Sequence, residues 1–400
     1  MASTRETRIV ASVSELGPEL RRSGPAERVS VFVDATLADS EVLARAVDSL
    51  GVGSTRVTTV TGDARSDELT DLARDLAPDE VVVGVGGGAV IDRVKLVSLL
   101  ASDPSYARNL MTTQRCGFVI LPERVRRTVR LAVVPTTVGT GAEASRTACL
   151  RRQSSKKLVY GDTLRPDVAA VDAVATRQLP LWLLAEGTLE VLIRVASYYV
   201  GHHADRPGAD QRAEEMVAEV VRLGYAVSRA RSDRVACPAA VRARIATLSG
   251  RSHRQEMLEG LAPYSDTCWP LANELSMCSG ARKLTGLAIV LPTVWRRVLE
   301  GEVAWGSERR LRRLWDVVRD AAPESLDPDC SVGIDQLMTS WSIDRRVECP
   351  DLDEVAHRAA RAWGQGLPML RGLTTERLRS IYGDAFSGSR VLTSNTTERR

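Results

Sequence analysis

A buried strand that runs directly into a glycine cluster is the feature that most constrains the fold of this chain. Residues 81–95 read VVVGVGGGAVIDRVK, and the β-branched run from Val81 is typical of a strand buried on both faces. Gly86, Gly87 and Gly88 follow, where the backbone can approach a ligand without a Cβ atom in the way. Apolar residues at helical spacing come next. This order of strand, glycine turn and helix N-terminus predicts a phosphate-binding turn.

A second apolar strand ends in a loop of similar character. Residues 131–145 read LAVVPTTVGTGAEAS, in which small hydroxyl side chains alternate with glycines. The hydroxyl groups of Thr136, Thr137 and Thr140 can bond phosphate or ribose oxygens, and the glycines leave room for the ligand. The pair of loops predicts one ligand site at the ends of two strands.

The order of the two loops resembles that of a known family. GGGxxxDxxK followed by PTTxGTGxE is similar to the iron-containing alcohol dehydrogenases and their dehydroquinate-synthase-like relatives. The resemblance implies that both loops surround the pyrophosphate of NAD(P), with Asp92 and Leu179 as further candidate cofactor contacts. We therefore expect an α/β N-terminal Rossmann-like NAD-binding domain followed by an all-α C-terminal domain. The alternation of strands and helices before residue 178 also predicts a parallel sheet.

An acidic residue closes the predicted strand at residues 29–33. Asp34 is placed to bond an adenosine ribose hydroxyl and to repel a 2′-phosphate. From the residues alone, a helix N-cap is an equally good interpretation. The resemblance favours the cofactor role, and hence NAD over NADP.

The length and the residue pattern predict two domains and a tail. Four hundred residues exceed one comfortable core, and the pattern from residue 181 to about 382 is helical almost throughout. We expect a dinucleotide-binding domain at residues 1–178, a helical substrate domain at 179–385 and a disordered Ser/Thr/Arg-rich tail at 386–400. Residues 117–134 predict a small hairpin whose arginine-rich tip is either a solvated turn or a docking surface for an acidic partner.

Charge, hydropathy and cysteine usage limit the partners and the compartment. A net charge of +3 on this length does not favour nucleic acid or a membrane surface. The N-terminal residues lack the apolar core of a signal peptide, and no apolar run reaches membrane length. Seven scattered cysteines without CxxC pairs indicate reduced thiols. We expect a cytoplasmic homodimer that binds neither nucleic acid nor membrane.

The resemblance also shows where metal ligands are expected and what replaces them. Family members bind iron or zinc with one Asp and three His. The Asp-x-x-x-His pair falls on Leu189 and Ile193, and the two remaining ligands fall on Leu271 and Thr285. A further family histidine, linked to proton relay, becomes Leu275. Aliphatic side chains cannot coordinate a metal and one threonine hydroxyl is a poor ligand, so we expect no catalytic metal.

Lysines are rare among the 54 basic residues, with only four in the chain. The family carries a lysine close to the nicotinamide where Lys157 follows the cofactor loops, although Lys156 and Lys157 can equally form a solvated turn. Lys283 precedes Thr285 by two residues, beside the replaced metal position. A lysine desolvated there would have a lowered pKa and could transfer a proton or bind a carboxylate. The catalytic candidates are therefore Lys157, Lys283, Thr285 and His253, the last lying near a loop.

Two functions remain open from the sequence. The first is a metal-independent, NAD-dependent dehydrogenase that oxidises a secondary alcohol. The second is a catalytically silent relative that keeps NAD as a structural or sensing ligand. The apolar side chains at the positions of the family's metal ligands favour the metal-independent dehydrogenase. One branch of the superfamily, in daptide-type ribosomal peptide pathways, oxidises a C-terminal threonine to a β-keto acid that loses CO2. That analogy implies a precursor peptide and a peptide-recognition protein as partners.

Overall fold

The computed structural model describes residues 6–25, 27–51, 54–77, 79–111, 116–261, 267–364, 366–370 and 372–388. Within these ranges the strands are β1 (Arg8–Val10), β2 (Arg28–Asp34), β3 (Ser54–Val60), β4 (Val81–Gly86), β5 (Phe118–Ile120), β6 (Arg130–Pro135), β7 (Thr147–Arg152), β8 (Ser155–Tyr160) and β9 (Val168–Ala170). The helices are α1 (Leu16–Arg22), α2 (Glu41–Leu50), α3 (Ser66–Arg74), α4 (Gly88–Ser102), α5 (Tyr106–Met111), α6 (Leu181–Val200), α7 (Pro207–Ser232), α8 (Ala239–Arg251), α9 (Gln255–Leu258), α10 (Cys268–Ser279), α11 (Lys283–Leu299), α12 (Glu308–Ala321), α13 (Cys330–Ser340), α14 (Leu352–Trp363) and α15 (Thr375–Gly388).

A six-stranded parallel sheet forms the centre of the N-terminal part, with strand order β1-β9-β6-β4-β2-β3. Strand β4 pairs with β2 on one side and β6 on the other. Its successive valines enter different apolar clusters, Val82 in one and Val81 and Val83 in the other. Both faces of the sheet are therefore covered, which is why β4 reads as a continuous apolar run. The predicted fold class is confirmed, with this α/β part followed by helices.

A second sheet was not expected from the sequence. Strands β5, β8 and β7 form a three-stranded sheet in which β5 pairs in parallel with β8. The predicted hairpin at residues 117–134 is wrong, because β5 lies in this small sheet and β6 lies in the large one. Arg127 from the supposed hairpin tip is almost fully buried and pairs with Asp167 at 2.9 Å. Its guanidinium is thus a packing group rather than a solvated or docking group.

The chain forms two compact units that differ from the predicted domains. One unit comprises Met1–Gly187 together with Cys237–Arg254, and the other comprises Thr188–Ala236 together with Gln255–Arg400. Helix α6 thus contributes its first residues to the first unit, and the whole of α8 joins that unit as well. The predicted boundary after residue 178 misses both features, since helical periodicity does not reveal which core a helix packs against.

The helical part extends to the end of the described chain. From residue 181 onward the described residues contain helices and no strand, as predicted. Helix α15 continues to Gly388, three residues into the predicted tail, and residues 389–400 lie outside the described ranges. No helix in the described ranges is both long enough and apolar enough to cross a membrane.

Candidate functional site

The first loop places a helix N-terminus directly after strand β4. Gly87 is the N-cap residue of α4, and the N–H of Val90 donates to the Gly87 carbonyl at 3.1 Å. The N–H groups of Gly88 and Ala89 precede this first bond, and both residues are half-buried. A Cβ atom on Gly86 would lie 2.6 Å from Val90 Cγ2, so the turn can only be this tight with glycine there. The result is a set of backbone donors at the positive end of a helix dipole.

The second loop packs against the first through the predicted residues. A Cβ atom built on Gly87 would lie 3.0 Å from both Cγ2 and Oγ1 of Thr137. One built on Gly88 would lie 3.0 Å from Cγ2 of Thr140 and 3.3 Å from its Oγ1. The carboxyl ends of β4 and β6 are neighbours in the sheet, which brings the two loops together. Backbone N–H groups and threonine hydroxyls therefore converge on one surface.

Three further predicted cofactor residues have partners within the protein. Thr136 is buried and donates its N–H to β4, which continues the pairing of β4 with β6. The carboxylate of Asp92 accepts the N–H of Cys149 at 2.9 Å and so orients β7. Leu179 is buried, and its carbonyl accepts a hydrogen bond from the guanidinium of Arg242 at 2.9 Å. Cofactor roles for Thr136, Asp92 and Leu179 stay predictions.

Asp34 lies at the end of β2, as predicted, and its side chain also has the capping role that was the alternative interpretation. It ends β2, and Oδ1 accepts the N–H of Thr36 at 3.0 Å and the Thr36 hydroxyl at 2.7 Å. The side chain thus caps the short 3₁₀ turn at residues 35–37. The hydrogen bonds from Thr36 engage Oδ1. Contact of the carboxylate with a ribose stays a prediction.

A buried lysine ties α4 to the end of the second loop. Lys95 Nζ donates to the Ser145 carbonyl at 3.0 Å, to Ser145 Oγ at 3.1 Å and to the Thr147 carbonyl at 2.9 Å. Burial lowers the pKa of Lys95 to about 8, against the opposing attraction of Asp92 and Glu143. Lys95, the lysine of the GGGxxxDxxK motif, therefore links α4 to the end of the second loop by hydrogen bonds.

Helix α8 holds the second loop from the other side, which the sequence did not reveal. Ser249 Oγ accepts the N–H groups of Gly139 at 2.9 Å and Gly141 at 3.0 Å. His253, just beyond α8, lies with Nε2 2.9 Å from the Thr140 carbonyl. His253 therefore contacts the second loop, while its catalytic role stays a prediction. A lone serine more than 100 residues from the loop carries no sequence signal.

The paired lysines lie on a strand, so the alternative of a solvated turn is wrong. Lys156 and Lys157 belong to β8 and point to opposite sides of the small sheet. Lys156 Nζ lies 3.1 Å from Asp63 Oδ1, whereas Lys157 is only 5% exposed. Burial, followed by the charge of Arg152, lowers the pKa of Lys157. A lowered pKa suits proton transfer, although the catalytic role of Lys157 stays a prediction.

The positions that match the family's metal ligands lie in the core of the helical part. Leu189 and Ile193 on α6, and Leu271 and Leu275 on α10, are completely buried. Thr285 on α11 is almost completely buried. Apart from the Thr285 hydroxyl, these side chains offer no donor atom, so an iron ion does not fit this set. Throughout the described ranges, no group of three or more His, Cys, Asp or Glu side chains is arranged to hold a metal.

Trp269 brings two cations together near those positions. Lys283 Nζ lies 5.6 Å from the centroid of the Trp269 ring, and Arg194 Cζ lies 5.5 Å from it. Arg194 also pairs with Glu190 at 3.1 Å, one turn earlier on α6. The start of α11 is thereby placed beside the α6 segment that carries Ile193. This cation–π contact holds Lys283 close to the replaced metal position.

The fold belongs to the Rossmann-like α/β class, and the two loops follow neighbouring strands of its parallel sheet. Residues 7–173 match the model of the family described as iron-containing alcohol dehydrogenase. Over these residues the chain is similar to the iron-containing alcohol dehydrogenases, which agrees with the resemblance seen in the sequence.

Individual proteins show the same similarity to alcohol dehydrogenases. The chain is 29% identical to long-chain-alcohol dehydrogenase 1 of Geobacillus thermodenitrificans, over 48% of this chain and 49% of that protein. It is 22% identical to NADH-dependent butanol dehydrogenase B of Clostridium acetobutylicum, over 92% and 94% of the two chains. The crystal structure of NADH-dependent butanol dehydrogenase A from Thermotoga maritima superposes with a TM-score of 0.78 at 18% identity, over 95% and 96% of the chains. The chain spans about half the length of several curated relatives that it matches.

Proposed function

We propose that the protein is an NAD-dependent oxidoreductase that oxidises a secondary alcohol without a catalytic metal. The observation that carries the cofactor assignment is the contact between the glycine turn at Gly87 and Gly88 and the threonines of the second loop. When bound, NAD supplies the hydride acceptor for the reaction. The family match over residues 7–173, together with the names of the dehydrogenase relatives, supports this reaction class.

The residues at the two loops suit the binding of a pyrophosphate. The N–H groups of Gly88 and Ala89, together with the helix dipole of α4, favour a dianion at the turn. The hydroxyls of Thr137 and Thr140 flank the same turn and supply further donors. Asp34 at the end of β2 would bond the adenosine ribose and repel a 2′-phosphate, so we propose NAD rather than NADP.

Metal independence rests on the chemistry of the side chains at the former ligand positions. A buried aliphatic wall cannot activate a hydroxyl group, so a protein side chain must accept its proton during hydride transfer. Lys283 beside Trp269 and the buried Lys157 are the side chains that we propose here, either as a neutral amine that accepts this proton or as a cation that binds the substrate oxygen. Thr285 and His253 are secondary candidates that offer a hydroxyl and an imidazole.

For the substrate we propose the C-terminal threonine of a ribosomally made precursor peptide. The hydroxyl-bearing carbon gives its hydride to NAD and the hydroxyl gives its proton to a base, which leaves a β-keto acid. That acid loses CO2 by itself, so a metal is not required for decarboxylation. A lysine such as Lys283 suits the C-terminal carboxylate. The proposal includes a peptide-recognition partner, a cytoplasmic location and a homodimer.

Cofactor turnover tests the proposed function. Purified protein is titrated with NAD, and NADH formation is then followed with simple alcohols and with peptides ending in threonine, with and without the partner protein. We expect NAD binding and NADH formation, with release of CO2 from threonine-terminated peptides. NAD binding without reduction of the cofactor by any of these substrates would favour the silent, structural or sensing relative. Failure to bind NAD would contradict both functions.

A further inference from the structure

We propose that the end of helix α8 positions the second cofactor loop, with Ser249 and His253 as positioning residues for NAD binding. The inference rests on the proposed cofactor function. Helix α8 lies outside residues 7–173, the part of the chain that matches the family model. It nevertheless belongs to the same compact unit as both loops. A helix from the predicted substrate domain thus shapes the cofactor site.

One buried hydroxyl holds the two glycines of the second loop. Ser249 is almost completely buried, and its oxygen accepts N–H groups from Gly139 and Gly141 at 2.9 and 3.0 Å. The φ angles of these glycines are +102° and +58°, a backbone region that favours glycine. A hydroxyl oxygen has two lone pairs, so Ser249 can satisfy both buried donors at once. Replacement of Ser249 by alanine would remove this shared acceptor.

His253 holds the residue between those glycines. Its Nε2 atom lies 2.9 Å from the Thr140 carbonyl, and since a carbonyl only accepts, Nε2 carries the proton. The peptide that His253 binds belongs to the threonine whose side chain faces Gly88. Fixing this carbonyl therefore also fixes the direction of the Thr140 side chain toward the first loop.

The fit between α8 and the loop leaves no room for side chains on either surface. A Cβ atom on Gly250 would lie 2.7 Å from Oε1 of the buried Glu143. A Cβ atom on Gly141 would collide with the imidazole of His253 and with the Ser249 carbonyl at 2.5 Å. The helix end and the loop are thus closely packed as well as hydrogen-bonded.

This arrangement assigns the donors for the pyrophosphate. The N–H groups of Gly139 and Gly141 already donate to Ser249, so they are engaged within the protein. The start of α4 and the hydroxyls of Thr137 and Thr140 are the remaining donors that we assign to the phosphates. Ser249 and His253 act by keeping those hydroxyls in place, without touching the ligand themselves.

Paired substitutions separate positioning from general stability. Ser249→Ala removes the acceptor, His253→Ala removes the donor, and His253→Gln keeps an amide N–H that can replace it. The matched control is Thr247→Ala, which removes a hydroxyl that bonds the carbonyl of Ala243 on the same helix at 2.9 Å. NAD affinity is measured by calorimetry and stability by urea unfolding. The rate of amide hydrogen exchange is measured in the peptide that covers residues 136–145.

We expect Ser249→Ala and His253→Ala to weaken NAD binding at least about tenfold and to speed amide exchange in the loop. His253→Gln should recover much of the affinity, and Thr247→Ala should bind NAD as the unmodified protein does. Equal NAD affinity in Ser249→Ala and the unmodified protein, or unchanged exchange in the loop, would overturn the proposal. Absence of NAD binding by the unmodified protein would instead contradict the proposed function, and the exchange experiment would still report whether α8 orders the loop.

Discussion

Substitution of Gly87 is the sharpest test of the cofactor site, because the backbone there does not require glycine. Its φ of −77° and ψ of −173° are open to any residue. The nearest obstacle to a Cβ atom is the Thr137 side chain, 3.0 Å away at Cγ2 and Oγ1. A shift of that side chain by a few tenths of an ångström costs about 0.5–1.5 kcal/mol. Gly87→Ala should therefore fold with a small loss of stability.

The effect on NAD should be much larger than the effect on folding. If the pyrophosphate binds at this turn as proposed, a methyl group on Gly87 would separate it from the N–H groups of Gly88 and Ala89. Loss of two hydrogen bonds to a charged group, at about 1.5–3 kcal/mol each, predicts at least a roughly hundredfold weaker affinity. Gly87→Val adds two methyl groups and should abolish measurable binding.

Calorimetric titration with NAD and urea unfolding of the same samples separate the two effects. The control is Gly383→Ala in α15, where a Cβ atom meets nothing within 4 Å. A Gly-to-Ala change inside a helix should stabilise that helix by up to about 1 kcal/mol and leave NAD affinity unchanged. If folded Gly87→Val binds NAD as tightly as the unmodified protein, the pyrophosphate does not lie at this turn.

Four further predictions concern cofactor choice, metal content, catalysis and pH. The protein should bind NAD more tightly than NADP in titrations. Asp34→Asn keeps the capping oxygen but removes the charge, so it should reduce the difference between the two affinities. Tighter binding of NADP than of NAD by the unmodified protein would refute the role of Asp34. Elemental analysis should find far less than one iron or zinc per chain, and chelators should not change activity; a metal content near one per chain would disprove metal independence. Lys157→Ala or Lys283→Ala should lower kcat/KM by roughly ten- to hundredfold in steady-state assays, since a charged hydrogen bond to the substrate is lost; normal turnover in both variants would eliminate the lysine mechanism. Because burial lowers the pKa of Lys95 to about 8 from an ordinary value of about 10.5, this lysine binds more protons in the unfolded chain between these values, so its own contribution to stability should rise by up to about 3 kcal/mol from pH 8 to 10.5, and the stability difference between the unmodified protein and Lys95→Met in urea unfolding should change by that amount; parallel pH profiles for the two proteins would contradict it.

The strands and loops of the first unit were predictable because their signals are local. Strand β4 is a run of β-branched residues, and the glycine turn and helix that follow it are adjacent in the chain. A strand that is buried on both faces of a parallel sheet needs apolar side chains at successive positions, so it is visible in the sequence as a continuous apolar run. The pairing of the loops after β4 and β6 could likewise be inferred, since both follow apolar strands and together match one family pattern. Local order and composition were sufficient for the fold class and for the contact between the two loops.

Contacts between distant segments were decided only in three dimensions. The strand β5 was assigned to a hairpin because it precedes β6 closely, yet it pairs with β8, some forty residues later. Ser249 looks like any helical serine, but tertiary packing places it under Gly139 and Gly141. Arg127 reads as a solvated turn residue, whereas the folded chain buries its side chain against Asp167 and the carbonyls of Thr163 and Arg165. Sequence patterns report the periodicity and conformation of one segment, while the partner of a buried polar group depends on which other segment the folded chain brings beside it.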